Sequence, residues 1–301
     1  MLIIGRYIHN LINHKDLSKR EGLKKHVYRL SHEIGERNIY NYAKLDEAAE
    51  YITEEFRSFG YKVDFQAYDV LNKSCRNIIA VKEGAKKPGE IIILGAHYDS
   101  RNGPGADDNA SAVAGLLETA KILSGKLTGR TIKFIAFTNE EPPLFKKKSM
   151  GSRVYTKASR KNKDDIKGAL ILEMIGYFSE KPRSQRHPFG VNFFYPSTGN
   201  FIGVIGNAES KYLLKYTVSS FRRTMDLQVK WMVAPNIVIG IGMSDDWSFW
   251  KEKYPAVMIT DTAYFRNPNY HKKSDTYDTL DYKKISEVVK GVVASLEALT
   301  K

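Results

Sequence analysis

Apolar residues recur along this chain with two periods, and the switch between them outlines its elements. In "LDEAAEYITEEFRSFGY", Leu45, Ala48, Ala49, Ile52, Phe56 and Phe59 share one stripe of a helix that Gly60 ends. Strand-like segments follow at Lys62 to Val70, Asn77 to Val81 and Glu90 to Ala96. "NASAVAGLLETAKILSG" predicts a helix capped by Asn109 or Ser111 and stopped by Gly125. "TIKFIAFT" and "GALILEMIG" read as buried strands, and a helix over Ala208 to Met225 precedes a strand near Gln228 to Val233. A short helix around Asp246 to Glu252, the strand "AVMIT" and a helix from Asp281 onward complete the pattern. Apolar strands alternating with helices predict an α/β fold whose sheet is covered by helices on both faces. No repeat, low-complexity tract or Pro/Gly/Ser-rich linker divides the chain, so residues 1–301 are expected to form one domain, with residues 1–40 as a helical extension packed on it.

In such sheets ligands gather beyond the carboxyl ends of the strands, and that rule sorts the polar residues. His97 follows the Ile91 to Ala96 strand directly, and Glu140 and Glu141 follow Thr131 to Thr138. Glu173 lies near the end of Ala169 to Met174, and Asp261 comes just after Ala256 to Thr260. Groups far apart in sequence are thus expected on one sheet edge.

Composition narrows the class. The chain has 301 residues, 42% hydrophobic and 27% charged, the profile of a globular protein with a sizeable core. The lone cysteine, Cys75, excludes an internal disulfide. No stretch approaches the roughly 20 apolar residues of a membrane span. The start "MLIIGRYIHNLINHKD" has no small-residue cleavage site and is read as no signal peptide, which makes the expected location cytoplasmic. Lysine and arginine outnumber the acids by 47 to 34, in scattered clusters at Lys86 and Lys87, Lys146 to Lys148 and Lys181 to Arg186. Without any nucleic-acid motif these read as a solvated lysine-rich surface.

Of seven histidines, His9, His14, His26, His32 and His187 are expected at the surface, whereas His97 ("HYDS") and His271 ("YHKKSDT") sit beside acids. With Asp107, Glu141 and Glu173 they make a ligand set of imidazole and carboxylate, the donors that zinc takes. Two zinc ions about 3.5–4 Å apart, sharing a carboxylate and a hydroxide, form a known hydrolytic arrangement. Three carboxylates and one hydroxide balance two divalent ions. Asp107 beside Asp108 is then explained, because a bridging carboxylate between two cations is attracted to them. Asp99 is placed to accept the second ring N–H of His97. In "TNEEPP" Glu141 would bind metal and Glu140 would act as general base, with Pro142 and Pro143 restricting the backbone. Cobalt or manganese also suits such a site.

The pattern "HYDS", "GADDNAS", "NEE", Glu173, "SDD", "YH" and "DT" resembles the co-catalytic zinc aminopeptidases, a family that includes vacuolar aminopeptidases, glutamate carboxypeptidase II and animal glutaminyl cyclases. The resemblance runs from about Leu45 to the C-terminus. It implies a central mixed, twisted sheet of about eight strands, of the zinc-peptidase (phosphorylase/hydrolase-like) type. By similarity His97 and Glu173 would hold one Zn2+, Glu141 and His271 the other, with Asp107 as the bridge and Glu140 as the base. A cis peptide would follow the bridging aspartate, at Asp107–Asp108. Tyr270 matches a tyrosine that steadies the oxyanion in some members, and Asp275 and Asp245 match positions that support the ligands. Asp246 stands where several members have histidine, so that role does not carry over. Trp247, Phe249 and Trp250 ("WSFW") are candidates for a specificity pocket or for a buried turn.

The expected function is that of a di-zinc aminopeptidase acting on peptides, with no nucleic-acid partner. A glutaminyl cyclase or carboxypeptidase on the same fold, a binuclear phosphoesterase and a non-catalytic receptor or adaptor are the alternatives.

Overall fold

In the computed structural model, which describes residues 20–188, 193–233 and 242–301, the apolar runs pair into an eight-stranded mixed sheet. The strands are β1 (Lys62–Val70), β2 (Lys73–Lys82), β3 (Lys87–His97), β4 (Arg130–Phe137), β5 (Asp165–Glu173), β6 (Phe201–Gly206), β7 (Gln228–Val233) and β8 (Ala256–Thr260). Their order across the sheet is β1-β2-β4-β3-β5-β8-β6-β7. β4, β3, β5 and β8 run parallel through the centre. Antiparallel pairings join β1 to β2, β2 to β4 and β6 to β8.

The central strands are apolar throughout because each buries both faces. In β3, Ile92, Leu94 and Ala96 enter one core while Ile91 and Ile93 enter the other, and β4 divides Phe134 and Ala136 from Ile135 and Phe137 in the same way. The larger core is covered by α2 (Tyr42–Ser58), α3 (Ala112–Leu123), α5 (Lys211–Thr224) and α7 (Tyr282–Leu299). The smaller one is covered by α4 (Gly151–Asn162) and α6 (Asp246–Lys251), through Tyr155, Phe249 and Trp250.

The start of the described chain is part of this packing. Residues 20–28 form α1, which continues into a wider π-helical turn, Arg29–Ile34. Leu23, Val27, Leu30 and Ile34 belong to the larger core. The expectation for residues 1–19, His9 and His14 included, lies outside the described residues. No helix among the described residues is long and apolar enough to cross a membrane.

Two elements have no clear sequence signal. β6, "FIGVIG", is broken by glycines, and α4 buries Tyr155 alone among Gly151, Ser152, Thr156 and Ser159, so it has no apolar stripe. The expected caps of α3 are also differently employed. Ser111 Oγ donates to the Asp107 carbonyl at 2.8 Å and Asn109 Nδ2 to the Leu172 carbonyl at 3.3 Å.

Candidate metal centre

The sheet order brings the candidate ligands together. β3 lies between β4 and β5, so the chain leaves β3 toward one side and returns on the other, opening a crevice at the carboxyl end of β3. His97 ends β3, Glu140 and Glu141 follow β4, and Glu173 ends β5. His271 reaches the same edge from the loop between β8 and α7, with a left-handed backbone (φ 54°).

Two groups of donors form there: His97, Asp108 and Glu173, and Asp108, Glu141 and His271. His97 Nε2 lies 3.4 Å from Asp108 Oδ1 and 3.3 Å from Glu173 Oε2. His271 Nε2 lies 3.1 Å from both Asp108 Oδ2 and Glu141 Oε2. Donors about 2.0–2.1 Å from a tetrahedral zinc stand roughly 3.3 Å apart, so both spacings suit that ion. The buried atoms His97 Nε2, His271 Nε2, Asp108 Oδ1 and Glu141 Oε1 have no hydrogen-bond partner, which is the signature of donors arranged for a cation. The residues therefore fit zinc.

Asp108, and not Asp107, is the carboxylate shared by the two groups, one oxygen facing each histidine. Asp107 is turned into the fold. Its Oδ1 accepts from the Gly176 amide at 2.9 Å and from Ser111 Oγ at 3.1 Å, and its Oδ2 accepts from Asn267 Nδ2 at 2.7 Å. The cis peptide is likewise one residue later than expected, at Asp108–Asn109. The loop backbone sets this register. Asp275 accepts from the amides of Asp107 (3.0 Å) and Asp108 (3.1 Å), and the chain kinks at Asp108 and Asn109.

Further partners hold the donors. His97 Nδ1 is 3.4 Å from Asp99 Oδ1, and the Asp99 carboxylate accepts from the amides of Glu140 (3.1 Å) and Glu141 (3.0 Å). Asp99 thus orients one histidine and both glutamates. Ser244 Oγ donates to Glu173 Oε2 at 2.6 Å. Asp245 and Asp246 are fully buried in the turn behind it, and both oxygens of Asp245 lack partners.

Burial and crowding shape the charges. Burial pushes Glu140 well above the usual carboxylate range, and burial with Asp108 takes Glu141 to about 7. Burial also favours neutral Asp108, but His271 and His97 outweigh it and hold that carboxyl below its ordinary value. Burial opposes charge on the imidazoles too. The surrounding carboxylates prevail, placing His97 well above its ordinary value and His271 at about 10. Without a cation the cluster thus retains protons that a metal displaces.

Tyr270 stacks on His271, with ring centroids 3.8 Å apart. Together with Glu173 it lines an open cavity whose apolar wall includes Phe201, Ile205, Met232 and Met258. Of the expected pocket residues, Phe249 and Trp250 are buried in the smaller core and do not line this cavity. Trp247 is half-buried beneath Lys146, Arg153 and Lys251. Of the histidines expected at the surface, His26 is not there. His26 is 2% exposed and packs against Glu118, and His187 lines the cavity.

Arg37 had no signal in the sequence. Fully buried, it donates to the carbonyls of Tyr98 (2.7 Å), Pro104 (2.6 Å), Gly105 (3.0 Å), Gly35 (3.2 Å) and Leu30 (3.3 Å). It ties the start of the chain to the loop that carries Asp99 and Asp108.

Residues 77–296 match the model of Peptidase family M28. YfbL of Escherichia coli K12, an uncharacterized protein, is 37% identical over 286 residues, covering 92% of this chain and 87% of that one. A probable leucine aminopeptidase 1 of Trichophyton verrucosum is 27% identical over 247 residues, which are 76% of this chain and 59% of that protein. Among solved structures, the zinc aminopeptidase BSAP of Bacillus subtilis superposes with a TM-score of 0.76 at 15% identity, covering 94% of this chain and 95% of that one.

Proposed function

As a member of peptidase family M28 this chain is a zinc-dependent peptidase, and we propose that it is an aminopeptidase that holds two zinc ions. The observation that carries the two-ion reading is the pair of donor groups meeting at Asp108. His97 and Glu173 would hold one ion, Glu141 and His271 the other, and Asp108 would face both. Zinc bound there supplies Lewis-acid polarisation of the peptide carbonyl and lowers the pKa of water.

The chain's own groups account for the remainder. Glu140, with Oε2 3.8 Å from His97 Nε2, is placed to take the proton of the attacking water and to return it to the leaving amine. Burial raises its pKa above the usual carboxylate range, which strengthens it as a base. Asp99 fixes its backbone. Tyr270, at the junction of cavity and donors, is positioned to donate to the developing oxyanion. The cavity offers an apolar wall to the first side chain of a peptide.

The test is zinc stoichiometry of the purified chain together with a peptide panel carrying free, blocked and glutaminyl N-termini. Close to two zinc ions per chain and release of free N-terminal residues are expected. Cleavage confined to blocked peptides with free C-termini would overturn the aminopeptidase reading, and cyclisation of glutaminyl peptides without hydrolysis would replace it.

A further inference from the structure

The open cavity beside the donors is floored by one face of the sheet, and strand register lays out its parts. Along β8, β6 and β7 the residues alternate. Val257, Ile259, Ile202, Val204 and Val229 enter the larger core, whereas Met258, Thr260, Gly203, Ile205, Lys230 and Met232 face the cavity. Glu173 pairs with Thr260, Thr260 with Gly203, and Gly203 with Lys230, so these four form one row across β5, β8, β6 and β7. The adjoining row, Met258, Ile205 and Met232, is apolar throughout.

The first row begins at a candidate metal ligand and ends at a cation. Three strand spacings put the Glu173 and Lys230 backbones ~14 Å apart. Between them the floor is low, because Gly203 has no side chain. The atoms nearest to a Cβ placed there belong to the floor itself: the Thr260 carbonyl at 3.2 Å and the Thr260 and Thr262 methyls at 3.8 Å. Lys230 is half-buried, and its side chain has no hydrogen bond, ion pair or ring contact among the described residues. Arg186 and His187 line the same cavity. Arg186 donates to the Tyr264 carbonyl at 2.8 Å, and His187 Nε2 lies 2.9 Å from the Pro196 carbonyl. The one carboxylate that lines the cavity among the described residues is Glu173, which belongs to a metal-donor group. The end of the cavity away from the donors is therefore positive and lacks an anion.

We propose that Lys230 receives the side-chain carboxylate of a glutamate in the first position of the peptide. This rests on the aminopeptidase reading, which seats the first side chain in this cavity. A side chain that leaves the metal edge beside Glu173 crosses Thr260 and the gap over Gly203, with its methylenes against Met258 and Ile205. Its carboxylate then meets the ammonium in a charge-assisted contact. An uncharged side chain of the same length gains the apolar row but leaves Lys230 without a partner, and a basic one is repelled.

The experiment is steady-state kinetics of the zinc-loaded full chain on the α-linked p-nitroanilides of glutamate, methionine and lysine. The wild type should favour the glutamyl substrate over both others. Its glutamyl-to-methionyl ratio of kcat/KM should fall at least ~10-fold in Lys230→Met, the loss expected for a hydrogen bond between charged groups. Lys230→Arg should keep the ratio, and in Lys230→Glu the lysyl substrate should become better than the glutamyl one. Each ratio is internal to one preparation, so partial misfolding of a variant cancels. A wild type that favours the methionyl or lysyl substrate, or a glutamyl-to-methionyl ratio unchanged in Lys230→Met, overturns the assignment of Lys230 and leaves the aminopeptidase reading standing. A wild type that hydrolyses none of the three removes both.

Discussion

Replacing Asp108 by asparagine should cost the protein metal, whereas the same change at Asp107 should not. Asp108 presents Oδ1 to His97 and Oδ2 to His271, so the amide takes one acceptor oxygen from one donor group and a full negative charge from both. Changing a residue that merely orients a ligand weakens metal binding by ~10–100-fold. Asp108 is in direct contact with both donor groups, so at least ~100-fold per ion, about 2.8 kcal/mol, is the lower bound. Asp107 instead accepts from Gly176, Ser111 and Asn267, and its carboxyl is raised well above the usual range, first by burial and then by Asp261. Asparagine keeps an oxygen for Gly176 and Ser111 and loses only the Asn267 contact, so Asp107→Asn should keep its zinc and stay within ~10-fold of wild-type turnover. Metal content after dialysis against a graded zinc buffer decides the matter, with thermal melting to verify folding. Zinc lost from a folded Asp107→Asn and retained in Asp108→Asn would refute the register.

Other perturbations test the rest. Glu140→Gln should keep its zinc and lose ~10²–10⁴ in kcat, read in parallel by metal analysis and peptide turnover; full activity would remove the base. Arg37→Met removes five hydrogen bonds, those to Tyr98, Leu30 and Gly105 buried, and should lower unfolding free energy in urea by ~3–5 kcal/mol. A loss under ~1 kcal/mol would mean that Arg37 does not clamp the loop. Burial alone would raise the Glu118 pKa, but His26 at 3.4 Å and Lys121 at 3.2 Å hold it below the ordinary value. A depressed carboxyl stabilises the fold above its unfolded pKa of about 4.3, and that contribution is lost as pH falls through the folded value. Glu118→Gln should therefore be less stable than wild type by ~1 kcal/mol at pH 7. The difference should close below about pH 4 in pH-dependent melts.

Most of the site was legible because its residues sit at the ends of apolar runs. His97, Glu173 and the Glu140–Glu141 pair each close or follow a strand, and a sheet covered on both faces brings such ends together. Arg37 and Asn267 were not legible. They act through main-chain carbonyls or through a carboxylate distant in sequence, and neither use leaves a local pattern. Phe249 and Trp250 show a related limit, since a pocket wall and a core are built from the same side chains.

What the sequence by itself determined was the set of donors and the edge on which they meet. Strand periodicity and strand ends dictate the edge, and the donor types, imidazole and carboxylate, narrow the metal to zinc, cobalt or manganese. Which of two adjacent aspartates faces the histidines was decided only by the tertiary structure. Between Gly105 and Ser111 the backbone follows no repeat; Asp275 holds the amides of Asp107 and Asp108, and Gly176 and Asn267 hold the Asp107 carboxylate. Those partners lie dozens of residues away, so the direction of each aspartate exists only once the sheet and its loops have assembled.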